Sequence, residues 1–135
     1  MKLKNLSTQA VLTLSDELLW TDEFDWSPVK TNASYSMTGA LIVEQGVMQA
    51  GRPISLEQPD ETMGKLKRAT ALTLKDWAAI KGQRFELTFE RGGNRTHTVM
   101  FDTDKPMTAK PSKGFVGLNS PDDWYNVNLY FIEVV

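Results

Sequence analysis

The chain has 135 residues, no cysteine, 15 basic against 17 acidic side chains, and a net charge of −2. Without cysteine, disulfides, thiolate nucleophiles and cysteine-ligated zinc or iron–sulfur centres are excluded. A near-neutral balance argues against a nonspecific nucleic-acid binder, which needs a basic excess to release counterions. A hydrophobic content of 41% suits one globular domain over residues 1–135, large enough for a core without staples.

The N-terminal stretch MKLKNLSTQAVLTLSDE has its best apolar run at Ala10–Leu14, too short and polar for a signal peptide. No segment approaches the roughly 20 apolar residues that span a bilayer. The expectation is a soluble protein made in the cytoplasm, with no membrane partner. Val11–Leu14 suits a short strand. Leu18, Leu19 and Trp20 lead into Thr21–Trp26, a dense mix of acids and aromatics, and Pro28 marks an extended or turn segment.

Val29, Thr31, Ala33, Tyr35 and Met37 share one parity, against Lys30, Asn32, Ser34 and Ser36 on the other. That alternation predicts a strand with one solvated face. Gly39 permits a turn into a second strand over Ala40–Gln49, where Gly46 is expected to form a bulge. Gly51-Arg52-Pro53-Ile54-Ser55-Leu56 reads as a glycine turn entering a short strand. Gln58–Gly64 reads as a loop, and Leu66–Thr70 as a minor strand.

One short α-helix is predicted over about 73–81, with Thr73 as its cap and Asp76 completing a variant capping box. Leu74, Trp77 and Ala78 would face the sheet, and Gly82 would end the helix. The clearest pattern follows, in RFELTFERGGNRTHTVMFD (Arg84–Asp102). Phe85, Leu87 and Phe89 alternate with polar residues, Gly92-Gly93-Asn94 turns the chain, and Val99 and Phe101 resume the alternation. Thr103–Lys113 reads as a loop, Phe115–Leu118 as a short apolar stretch, and Trp124–Val135 as a long final strand. The expected fold is mainly β, an antiparallel β-sandwich or flattened barrel carrying that one short helix.

No residue set specifies a reaction. His97 is the only histidine, and its parity with Val99 and Phe101 places it on a strand at the rim of the core. The acids Asp22/Glu23/Asp25, Asp102/Asp104 and Asp122/Asp123 sit where turns and caps want them. Paired acids of a small hydrolase would instead require a cleft and a raised carboxyl pKa. Gly92-Gly93 lacks the helix and Lys-Ser/Thr of a phosphate loop, and no G-x-S-x-G occurs. No catalytic residue, cofactor or metal ligand is expected, and the chain reads as a non-enzyme. Among the large aromatics, Trp20, Phe24, Trp26, Trp124 and Tyr125 are the candidates for an interface or a ligand-stacking face.

Five segments together resemble a family of small prophage-encoded proteins associated with phage tail assembly. They are LLWTDEFDWSPV (Leu18–Val29), TGALIVEQGVMQAGRPISL (Thr38–Leu56), the LKDW helix, the FELTFERGG hairpin and the terminal PDDWYNVNLYFIEV. The G-R-P-I-S-L strand is the most distinctive, and the whole is similar to β-sandwich domains of tail-tube and distal-tail proteins. That resemblance implies a structural virion component of tail or baseplate, made in the bacterial cytoplasm, with copies of itself, in a ring or otherwise, and other tail proteins as partners. Its edge strands would be protected by Pro28, Pro53 and a bulge at Gly46. The long loop that joins neighbouring subunits in such proteins has only Gln58–Gly64 and Thr103–Lys113 as candidates. A carbohydrate-binding module is the alternative, with Trp26 and Trp124 or Tyr125 stacking a sugar and Asp25 or Asp123 bonding its hydroxyls.

Overall fold

A computed structural model describes residues 1–112 and 121–134. The stretch Phe115–Leu118 and the last residue of the final strand, Val135, lie outside the described residues. The chain is mainly β, antiparallel and sandwich-like, with one short helix. Its strands are β1 (Lys2–Asn5), β2 (Val11–Thr13), β3 (Leu19–Trp20), β4 (Val29–Tyr35), β5 (Leu41–Val47), β6 (Pro53–Glu57) and β7 (Lys65–Lys67), then β8 (Phe85–Phe89), β9 (Arg95–Phe101), β10 (Met107–Pro111) and β11 (Trp124–Glu133). The helix α1 (Arg68–Ala78) lies between β7 and β8.

The long final strand organises the body. Its C-terminal half is flanked by β9 and β6, and its N-terminal half by β10 and β7. Beyond β9 the sheet continues through β8 and β1 to β2, and beyond β6 it ends at β3. One strand therefore serves two half-sheets, and their inner faces make the core. Leu3, Ile54, Leu56, Leu87, Val99, Val127 and Leu129 are fully buried there, with Phe85 and Phe131 almost so.

The expected hairpin forms with Phe85 opposite Val99 and Leu87 opposite His97. Gly92, Gly93 and Asn94 all take positive φ, at 81°, 106° and 54°. Three successive left-handed residues are tolerated because two lack a Cβ and asparagine accepts that region most readily.

Three expectations are corrected. First, the helix starts at Arg68, not Thr73, so the minor strand ends at Lys67. No side chain caps it. The carbonyls of Asp123 and Pro121 instead accept from the Arg68 and Ala69 amides, at 2.8 and 3.1 Å. Thr73 lies inside the helix and its hydroxyl donates back to the Ala69 carbonyl. The buried face is as expected: Leu74 is fully buried, and Trp77 stacks on Phe85 with ring centres 5.5 Å apart. Second, Met107–Pro111 is not loop but strand β10, held by the edge of β11. Third, Gly46 forms no bulge, because it sits opposite Lys30 in unbroken one-to-one register. The strand β1 has no counterpart in the sequence reading, since Lys2-Leu3-Lys4-Asn5 carries one apolar side chain.

Candidate assembly surface

Among the described residues, strands β4 and β5 pair only with each other and form a two-stranded sheet separate from the body. Seven pairs run from Val29–Val47 at the root to Tyr35–Leu41 at the tip, where Gly39 turns the chain with φ +85°. The amide of Met48 donates to the Pro28 carbonyl and extends the ladder toward the body. At about 3.4 Å per residue, the arm is roughly 24 Å long.

Directly paired residues in an antiparallel ribbon share a face. One face of the arm thus carries Val29, Val47, Ala33, Val43, Tyr35 and Leu41, interrupted by a Thr31–Gln45 hydrogen bond. The other carries Lys30, Asn32, Glu44, Ser34, Gly46 and Ile42. The sequence alternation is therefore real, but every residue of both strands is exposed. Among the described residues nothing covers the apolar face, and each strand has one unpaired edge. An isolated hairpin in water is marginal, and apolar area left bare costs free energy in proportion to its extent.

Where the chain enters and leaves the arm, it is fastened to the body. The Asp22 carboxylate accepts from the Ser55 amide at 3.0 Å and from its hydroxyl at 2.9 Å. Glu23 is held twice: its carbonyl accepts from the Arg52 guanidinium at 2.8 Å, and its carboxylate pairs with Arg95 at 3.2 Å. Arg52 lies over the Trp20 ring, 4.5 Å from its centre, and Trp20 stacks on Phe89 at 5.3 Å and 5°. His97 meets both rings edge-on, and its Nδ1 lies 2.6 Å from the Glu133 carboxylate.

The five candidate aromatics separate. Trp20 and Tyr125 are each 8% exposed, so neither offers a face to a ligand. Phe89, His97 and Arg52 cover Trp20, and Arg68 donates to the Tyr125 hydroxyl at 2.6 Å. Trp26 is half-buried, while Phe24 is 93% and Trp124 51% exposed. Register keeps these three from one platform. Past Trp20, the chain carrying Phe24 and Trp26 runs alongside Ser55 toward the Glu133 end of β11. Trp124 opens that strand at its other end, opposite Lys67. It borders an open groove of about 580 Å³ with Ser15, Asp16, Glu17, Thr62 and Lys65. Both acids there are already engaged, Asp16 by the Met1 amine and Glu17 by the Gly64 amide.

The acids elsewhere serve local geometry. Asp102 closes a turn by accepting from the Asp104 amide, and Asp122 pairs with Lys67 at 3.8 Å. Asp60 accepts from the Thr62 hydroxyl and amide, which together hold its carboxyl below the usual value. Among the described residues, no three acid or histidine side chains group closely enough to hold a metal ion, and no helix is long and apolar enough to cross a membrane.

Neither loop proposed for joining neighbours matches the arm in reach. Gln58 ties its own loop to the body through Asn126 and Asn128, and much of Thr103–Lys113 belongs to β10. The alternating pattern of Val29–Met37, and a second strand after Gly39, were visible in the sequence. What was missing was any sign that its apolar face turns away from the core. Comparison with family models, curated proteins and solved structures finds no match.

Proposed function

We propose that this chain is a non-enzymatic structural subunit of a phage or prophage virion, in the tail or baseplate, that assembles with copies of itself through the β4–β5 arm. One observation carries the reading: a seven-pair amphipathic ribbon whose residues are all exposed and whose apolar face meets no other element among the described residues. The resemblance of the sequence to tail-associated proteins supplies the setting. A second copy is the favoured occupant because the arm offers what a repeated interface uses. It has an apolar face to cover, two edges to pair and a root fastened to a rigid body.

Area limits the geometry. Each arm face projects on the order of 240 Å², from a length of roughly 24 Å and a two-strand width of about 10 Å. Stable interfaces bury about 800 Å² per partner. One face alone falls short, so the subunit contact must also use an edge of the arm or the exposed Phe24 at its root.

Light scattering after size exclusion, at two protein concentrations, tests this. The expected result is an oligomer that Val43→Lys on the apolar face dissociates and Asn32→Lys on the polar face leaves intact. A wild-type chain that stays monomeric at both concentrations contradicts the reading. The carbohydrate-binding alternative retains Trp124 and its groove, where Trp124 is the one aromatic among the described lining residues.

A further inference from the structure

We infer that Arg52 is a strut that sets the direction in which the arm leaves the body, making it a positioning residue for assembly; the assembly part rests on the function proposed above. Arg52 stands where the chain has just returned from the arm, between the Gly51 turn and β6. Its side chain reaches to the other root. There Nη2 donates to the Glu23 carbonyl at 2.8 Å, two residues before Asp25 and three before Trp26. The two segments that enter and leave the arm are thus joined by one guanidinium.

The same residue is anchored to the body through its backbone and its ring contact. The Arg52 carbonyl accepts from the Glu133 amide at 2.8 Å, and the preceding Gly51 amide donates to the Glu133 carbonyl at 2.9 Å. The guanidinium lies against Trp20, which is stacked on Phe89 in β8 and edged by His97 in β9. Arg95 completes the tie from the far side, 5.6 Å from the Phe89 ring centre and paired with the Glu23 carboxylate. Glu23 is therefore fixed at its backbone by Arg52 and at its side chain by Arg95.

Chemistry explains why an arginine is needed. A planar guanidinium can lie over an indole while a nitrogen at its edge donates within the guanidinium's own plane, which an ammonium cannot do. The geometry also matters for association. A two-stranded ribbon on a loose stalk samples many directions, and each copy must lose that freedom to bind. A strut removes the cost before the partners meet.

The absence of cysteine allows clean spin labelling. Met37→Cys at the arm tip and Lys75→Cys on the helix give one label pair, measured by pulsed dipolar spectroscopy in an excess of unlabelled protein so that only distances within one chain are read. A narrow distribution is expected with Arg52 present, and one about twofold broader with Arg52→Ala. Self-association, followed by light scattering, should weaken about tenfold or more. If Arg52→Ala fails to fold, Arg52→Lys keeps the stem and charge while losing the stacked fork, and it should broaden the distribution too. Equal widths for wild type and a folded variant overturn the strut, as does a wild-type distribution that is already broad. A wild-type monomer at every concentration defeats the assembly role, while the distance distribution decides the strut independently.

Discussion

Single residues in the body are placed by what their polar atoms touch. Tyr130 shows how this bears on pH. Burial first, and the negative charge of Glu57 second, raise its phenol above the ordinary value of 10.0, against a smaller opposing effect from a Thr108 hydrogen bond. The native state therefore keeps this proton to higher pH than the unfolded chain. Its contribution to stability is whole below the unfolded value and is lost as pH rises through the folded one. Denaturant melts between roughly pH 9 and pH 11.5 should show Tyr130→Phe losing stability less steeply than wild type. Parallel curves would mean that the phenol ionises alike in both states. His97 was expected at the rim of the core and is found there, half-buried on β9, as the alternation with Val99 and Phe101 indicated. The sequence did not indicate its partner, because Glu133 lies 36 positions away on β11.

At the scale of elements, local pattern and tertiary pairing carry different kinds of information. The β8–β9 hairpin was legible because alternation and a glycine turn lie within one short stretch, and its register follows from them. The helix was legible as a face, Leu74 with Trp77, but not as a beginning. Its first amides are satisfied by Pro121 and Asp123, some 50 positions along the chain. Capping from a distance leaves no signature near Arg68, so Thr73 read as the cap. β10 was obscured in the same way: Pro106 and Pro111 suggested a loop, yet the segment between them pairs with the edge of β11, where prolines at strand ends are tolerated. The arm gives an element-scale prediction. Because it lends nothing to the body's core, replacing residues 29–47 with a short Gly-Ser linker should leave the melting midpoint of monomeric protein within a few degrees of wild type. For a domain of this size, ~1 kcal/mol corresponds to about 2–8 °C. A fall well beyond that range, seen by calorimetry in dilute solution, would show that the arm supports the body after all.

The whole molecule is a body with a packed interior and one ribbon that its own interior does not use. Trp20, Arg52, Glu23 and Arg95 hold the base of that ribbon, while its apolar face lies exposed. The character of the face predicts how association responds to salt. Val29, Ala33, Tyr35, Leu41, Val43 and Val47 carry no charge, and Lys30 and Glu44 sit on the opposite face. Assembly driven by the apolar face should therefore be nearly indifferent to ionic strength. Sedimentation at low and high sodium chloride is expected to give association constants within about threefold, since screening acts on charges and scarcely on apolar burial. Dissociation on adding salt would point to Lys30, Glu44 or other charges as the true contacts.

By itself the sequence determined the mainly-β class, the β8–β9 hairpin, the apolar face of the helix and the alternation of Val29–Met37. Each depends on side-chain periods of two or three to four residues, and such periods are written locally. Tertiary structure alone decided which apolar faces meet. It gave β11 two sets of partners, capped the helix from Pro121–Asp123, buried Trp20 and Tyr125, and left the arm uncovered. Alternation shows that a strand has an apolar side. Whether that side meets the core or solvent depends on residues far along the chain, which only the folded arrangement brings together.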